Sequence, residues 1–530
     1  MKKLSKAVVL LLVLAMVLSV VGCSSSDDKK DPATTTTPAA STDDKKDDKK
    51  DEKPAETDKK DDVKDDTSST EPTDSNDSTD DTVEPDDEVV ETKTFANGIY
   101  INEEGTYCNP DGSTVDLGGM EILMGDWFSK EGVEPTTAFE EATEEYRNEI
   151  MEKYNFKIKF QKVSGYGTYL ENFTNFATSG GDENYVFCLG KQMVATPMLS
   201  GLLYDLNTLD VLDFSEEKWD ASTSYLTTQG KSTYGMRADA PEPRGGVYWN
   251  KRLFEEAGVD PDLPYDLQAK NEWTWETFED LCKQLTRDTD NDGVNDCWAM
   301  TSFKGDFINA VIASNNAQLV DIDENGKYYL ASNSDNYVEA YDWGRYMRQN
   351  YEMPSLEEET GDWAYMYPCF INAEAAMQVA EEYRAGDLSG EEGMADDFGF
   401  VMFPRGPKCE ELTGYSTDNL YVIPSCYDAE RAWKIAFAYN LFTEKTPGYE
   451  DDEDWMTPYY PLFKDERAVE ETLALMRTHQ VSTIWPCIPK LNTDNEYSWD
   501  LDAVTAIERY EAKKEEYQSY IDAVNVLAGK

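Results

Sequence analysis

Histidine is almost absent from this chain: His479 is the only one in 530 residues. That removes most catalytic triads and argues against a zinc centre. Cysteine is sparse and unpatterned, with nine residues and no CxxC pair. A disulfide framework and a thiol redox motif are therefore not expected. Cys108, Cys188, Cys282, Cys297, Cys369, Cys409, Cys426 and Cys487 sit in apolar or mixed segments and read as free, mostly buried thiols. Positive charge is scarce too. Lys and Arg number 48 against 107 Asp and Glu, a formal net charge of -59. A surface this acidic repels nucleic acid and anionic polymers within a Debye length, so no nucleic-acid partner is expected, and neutral or cationic ligands are the natural guests. No nucleophile elbow, P-loop or GxGxxG organisation appears. Glycoside hydrolysis needs only two carboxylates, so composition alone does not exclude a hydrolase.

Long apolar runs are missing except at the start. Lys2, Lys3 and Lys6 precede the 16 residues "AVVLLLVLAMVLSVVG". That run is short for a membrane span and suits the apolar region of a signal peptide, residues 1–22. It ends "LSVVGC". A small residue then Cys resembles the bacterial lipobox, which implies lipidation of Cys23 and anchoring to the membrane by lipid. Residues 23–95 follow as an Asp-, Lys-, Thr- and Ser-rich tether. It has too little apolar surface to offset the entropy of ordering, and is expected to be a disordered acidic linker. The remaining 400-odd residues exceed one comfortable core, so two lobes are expected.

Periodicity supplies the elements. Ile122–Met124, ended by Gly125 and Asp126, "FKIKFQKV" and "NYVFCLG" read as strands, with helices over "TTAFEEATEEYRNEIMEKYN" and "TYLENFTNFATSGG" between them. Strand and helix alternation predicts a parallel sheet covered by helices. Thr136 or Thr137 is the expected cap of the first helix, and Thr274 of the helix at "WTWETFEDLCKQLTRDTD". A strand is expected at Val247–Trp249, helices over "FINAVIASNNAQLV" and "SDNYVEAYDWGRYMRQN", strands at "EAAMQVA", "FGFVMFP" and "NLYVIPS", and a helix at "DAERAWKIAFAYNLFT". From Lys464 onward the chain reads as mostly helical.

Several of these segments, in this order, resemble family 1 extracellular solute-binding proteins, the sugar-binding lipoproteins of bacterial ABC importers. "VYWNKRLFEEAGV" is similar to the family's YYN-K-x-L-F-x-x-A-G element, and Thr274, Trp275 and Phe278 to the helix start that follows it. "FINAEAAM" is similar to F-x-x-G-x-A-A-M, with Ala373 and Glu374 in place of Gly-Lys, and "VMFPRGP" matches a P-x-G-P strand end. The resemblance runs from about Gly119 to the C-terminus. It implies an α/β, two-lobe periplasmic-binding-protein-like fold with a central ligand cleft and a helical C-terminus. Lobe one is placed at 118–243 plus 420–460 and lobe two at 244–418 plus 461–530. The crossings fall near Ala240–Gly245 and Ser416–Asn419. The implied function is capture of a neutral carbohydrate, an oligosaccharide, on the outer face of the membrane and delivery to ABC permease subunits by a monomeric, non-enzymatic protein. A surface sensor, a peptide binder of the same fold and an exported glycan-degrading enzyme remain the alternatives.

In such folds ligands lie beyond the carboxyl ends of the parallel strands. Flat aromatic faces cover the C–H patches of a pyranose, and planar polar groups bond its hydroxyls. Trp127, Tyr166, Trp249 and Tyr383 are the stacking candidates, and Asp126, Glu381, Arg384, Asp418 and Asn419 the polar ones. For each aromatic the competing reading is core packing, and for each polar residue a cap or solvated loop. "DTDNDGVNDCW" resembles a calcium loop and a common insert of the same family. Asp288, Asp290, Asp292, the carbonyl of Val294 and Asp296 occupy ligand positions 1, 3, 5, 7 and 9, with Gly293 at 6. Position 12 is Ala299 where a bidentate Glu belongs. The loop reads either as a partial calcium site bracing lobe two or as an acidic turn. No organic cofactor is expected.

Overall fold

The computed structural model describes residues 93–130, 135–239, 244–357, 361–416, 419–449, 454–491, 498 and 500–527. The signal peptide, Cys23, nearly all of the linker, Asp418 and most of the first crossing lie outside the described residues. Phe95 already belongs to the core of the compact body. Phe95 stacks on Tyr107 at 5.8 Å and meets the edge of Trp433 at 6.0 Å. A two-residue hairpin, β1 (Tyr100–Ile101) and β2 (Tyr107–Cys108), carries that contact.

The first sheet follows the alternation in the sequence. β3 (Met120–Asp126) leads to helix α1 (Ala138–Lys153), β4 (Phe156–Lys162), α2 (Tyr166–Ser179), β5 (Asn184–Gly190) and α3 (Lys191–Leu199). Thr137 caps α1 through a capping box: its hydroxyl accepts from Glu140 N at 3.1 Å, and the Glu140 carboxylate accepts from Thr137 N at 3.1 Å. β3 lies between β4 and β5, parallel to both. After α3 come α4 (Ala221–Leu226) and a short hairpin of β6 (Thr228–Gln229) and β7 (Ser232–Thr233).

The second sheet begins after the crossing with β8 (Gly246–Asn250). It continues through α5 (Lys251–Glu256), α6 (Leu263–Ala269), α7 (Trp275–Leu285), β9 (Trp298–Ser302) and α8 (Lys304–Ser314). β10 (Val320–Ile322) and β11 (Tyr328–Leu330) form a hairpin, and the helix expected over "FINAVIASNNAQLV" stops at Ser314, the last residue of that stretch, Val320, opening β10. Then come α9 (Asp335–Tyr351), α10 (Met366–Ile371), β12 (Ala375–Ala380), α11 (Arg384–Ser389) and β13 (Phe398–Met402). The sheet order is β13-β8-β12-β9. β9 and β12 are parallel, whereas β8 is antiparallel to both β12 and β13.

The return is direct. β14 (Gly414–Ser416) belongs to lobe two, and β15 (Asn419–Val422) joins the first sheet antiparallel to β5. α12 (Ala429–Phe442) then contributes nine buried residues to the lobe-one core. The expected helix over "DERAVEETLALMRTH" starts as a π-helical segment at Ala468–Leu473 and continues as α13 (Ala474–Thr478). It is followed by an unexpected strand, β16 (Gln480–Ser482), parallel to β14. α14 (Ala506–Leu527) closes the fold. The two four-stranded sheets have separate buried cores. All eight cysteines of the body are free, six of them buried.

Candidate functional site

Both crossings sit at the same end of both sheets. Asn419, the first residue of β15, pairs with Gly190, the last of β5. Gly246, the first residue of β8, pairs with Ala380, the last of β12. The carboxyl ends of the parallel strands in each lobe therefore adjoin the crossings, where a cleft ligand is expected.

In lobe one these ends gather Asp126, Trp127 and Tyr166. Asp126 is buried, and its carboxylate accepts from Phe128 N at 2.9 Å, Ser129 N at 2.8 Å and the Ser129 hydroxyl. It thereby braces the turn that presents Trp127. The Trp127 ring is half-buried, edge-on to Tyr166 at 5.6 Å and to Tyr169 at 5.1 Å. Tyr166 is 51% exposed, and its hydroxyl accepts from the Gln192 amide. Phe128, at 49% exposure, extends the same aromatic surface. Tyr169 is fully buried and bonds the Gly125 carbonyl at 2.5 Å, which fixes α2 to the end of β3. Asn419 is half-buried, and its carbonyl accepts from Arg237 at 2.8 Å.

In lobe two the β12 end carries Glu381, Glu382, Tyr383 and Arg384. Arg244, arriving from the crossing, is buried with its guanidinium 3.3 Å from Glu382 and 4.0 Å from Glu381. It also lies 5.6 Å from the ring centre of Tyr383, which is 51% exposed. The Arg384 guanidinium stacks 3.8 Å over Tyr367 and pairs with Asp387. Asp306, in the first turn of α8, faces this group. Burial pushes its carboxyl well above the ordinary range and Glu381 adds to the effect, while Arg244 and Arg384 oppose it. The Tyr367 hydroxyl is pushed up to about 12 by burial and then by Asp306. Trp363, exposed, meets Phe303 edge-on at 5.8 Å just beyond the end of β9.

Trp249 is not part of the site. It is fully buried, packs on Tyr265 at 4.7 Å, and donates its indole N–H to the Pro261 carbonyl at 2.8 Å. The expectation assumed that β8 ends at the cleft. β8 instead enters lobe two there and runs away, so its last residues lie at the far end of the sheet. Tyr248 is buried as well, its hydroxyl on the Glu382 carbonyl at 2.7 Å. A polar cavity of about 500 Å³ does lie at that far end. Several of its charges are used in ion pairs, Lys251 with Asp465 at 2.8 Å and Arg467 with Glu471 at 2.7 Å. Arg244, Asp306 and Trp363 are the cleft residues that sequence reasoning missed. Recognising "WAMTS" as a strand would have exposed Asp306.

The family model for bacterial extracellular solute-binding protein matches residues 130–439, more than half of the chain. The chain belongs to this family. Solved structures share its fold at low identity. UgpB from Mycobacterium tuberculosis in complex with glycerophosphocholine is 16% identical at a TM-score of 0.55, covering 77% of this chain and 99% of that one. The cyclic alpha-maltosyl-1,6-maltose binding protein of Arthrobacter globiformis is 14% identical at 0.53, covering 78% and 100%. The substrate-binding protein Lmo0181 from Listeria monocytogenes in complex with cycloalternan is 18% identical at 0.50, covering 78% and 99%. No curated protein sequence matches the chain.

The Asp loop of this solute-binding protein stands apart from the cleft, between α7 and β9. Asp288, Asp290 and Asp296 bring one carboxylate oxygen each within 4.8 Å of one another. Asp292 is outside that group and caps Val294 N at 2.8 Å. Asp288 accepts from Gly293 N at 2.8 Å, and Gly293 holds φ +93°, which only glycine adopts without strain. Three of the expected ligands converge, so the residues fit a hard cation that keeps several waters.

Proposed function

We propose that this solute-binding protein captures a neutral oligosaccharide between its lobes and hands it to an ABC permease, tethered to the outer face of the membrane through lipidated Cys23. One observation carries the reading. Exposed aromatic surface stands at the strand ends of both lobes, with Trp127, Tyr166 and Phe128 on one side and Tyr383 and Trp363 on the other. Beside it lie the charge-paired planar groups Arg244, Glu381 and Glu382. Stacking faces and planar hydrogen-bonding groups are what a pyranose requires. The two neighbours described with cycloalternan and as binding cyclic alpha-maltosyl-1,6-maltose support a carbohydrate ligand. The neighbour described with glycerophosphocholine calls for that solute as a comparison.

A calorimetric panel of glycans, glycerophosphocholine, peptides and polyuronates tests the proposal. Saturable binding of a neutral glycan supports it; binding only to the other classes rejects it. Product release from any glycan would move the protein to the enzyme class. Anchoring is tested separately: Cys23→Ala should release the chain into the medium. The Asp288–Asp296 loop is proposed to hold calcium through Asp288, Asp290 and Asp296 as a structural brace.

A further inference from the structure

The charged groups at the lobe-two strand ends are almost all engaged. Arg244 lies against Glu382 and Glu381, Arg384 pairs with Asp387, and Lys304 pairs with Asp502 at 2.6 Å. Asp306 is the exception. Its carboxyl is closely surrounded yet keeps part of its surface open, and it has no hydrogen bond or ion pair among the described residues. A carboxyl withdrawn from water without a partner is costly, and natural folds rarely keep one that serves only packing.

A helix-capping role does not explain it. Asp306 is the third residue of α8, a place from which a carboxylate can reach back to the cap N–H. Among the described residues, no hydrogen bond joins the Asp306 carboxylate to the N–H of the cap residue, Phe303. Position explains the residue better. β9 and β12 are parallel, with Ser302 opposite Val379. The turn after β9 therefore delivers Asp306 to the same end of the sheet as Glu381 and Tyr383.

We infer that Asp306 is the specificity-determining acceptor of the lobe-two half of the cleft, its carboxylate taking two neighbouring hydroxyls of the bound carbohydrate. This rests on the carbohydrate reading above. The groups facing it are Glu381 at the end of β12, Tyr383, Arg384 on α11, Arg244 from the crossing and Tyr367 on α10; Lys304, on its own helix, is turned to Asp502. Burial and, after it, Glu381 strengthen the carboxyl's hold on a proton. Two donated hydroxyls stabilise the ionised form, as do the guanidiniums of Arg244 and Arg384. The proton leaves to solvent on capture, and affinity falls as pH drops.

The test uses the folded body with a glycan that the wild-type protein binds. Calorimetry is run over roughly pH 5 to pH 8 in buffers of different ionisation heat, which reads proton release directly. Asp306→Asn keeps the shape and removes the charge. It should weaken binding about tenfold or more, abolish proton release and flatten the pH profile, with an unchanged or higher melting temperature. Glu381→Gln should retain proton release. Binding by Asp306→Asn within about twofold of wild type, or with the same pH slope, overturns the inference. So does a slope that disappears only in Glu381→Gln. If the wild-type protein binds no glycan, the carbohydrate reading falls and this inference with it. If it binds one and Asp306→Asn matches it, only this inference falls.

Discussion

Trp249 lies opposite Met377 in an antiparallel ladder whose cleft end is the pair Gly246 and Ala380. Three residues of strand, about 10 Å, thus separate the indole from the crossing. Its ring fills the core of lobe two and bonds the Pro261 carbonyl. Trp249→Ala should cost about 3–5 kcal/mol of stability. The surviving folded protein should bind ligand as wild type does. Denaturant unfolding with calorimetry separates the two effects, and a selective loss of affinity would return Trp249 to the site.

Trp127 should behave in the opposite way. Its half-buried ring contacts Tyr166 and Tyr169 and packs only on the rim of a lobe-one core. Trp127→Ala should weaken glycan binding about tenfold, the value of one good stacking face, and shift melting little. A large melting shift with unchanged affinity would assign the ring to packing.

Glu352 predicts a pH dependence of stability. It is buried, receives Ser302 N at 2.7 Å and lies 3.2 Å from Arg348. Burial pushes its carboxyl from 4.5 up to about 7, against the pull of Arg348 and Ser302, while Arg348 stays charged. The folded state therefore holds a proton that the unfolded state has released across that window. Stability should fall as pH rises through it, by at most about 1.4 kcal/mol per pH unit. Glu352→Gln should lose this slope. Urea midpoints compared across the window decide the matter, and identical slopes in the two proteins reject the assignment.

The Asp loop predicts a calcium response confined to stability. Millimolar calcium should raise the melting temperature in proportion to site occupancy. Asp288→Asn with Asp290→Asn should remove the rise and leave glycan affinity unchanged. No shift in the wild-type protein at millimolar calcium means the loop is an acidic turn.

Much of the lobe-one site was legible in the sequence. There the strands are parallel, so the residue after each strand faces the crossing, and Trp127 and Tyr166 follow from local order alone. Lobe two was harder to read. Its strand β9 is short and pairs with a segment 77 residues on, and its strand β8 runs in reverse against partners more than a hundred residues away in the chain.

What the sequence determined by itself is local: alternation and helical period, the Thr137 and Thr274 caps, the acidic balance, and motif order specific enough to indicate a family. These depend on neighbours within a few residues, where geometry is set by the backbone. Tertiary structure alone decided which strand end meets the cleft, and so which aromatic is buried and which is open. It also brought Arg244, Asp306, Glu381 and Tyr383 to one place. Strand direction is fixed by long-range hydrogen bonding, and burial by the packing of distant segments; neither is written in the spacing of nearby residues.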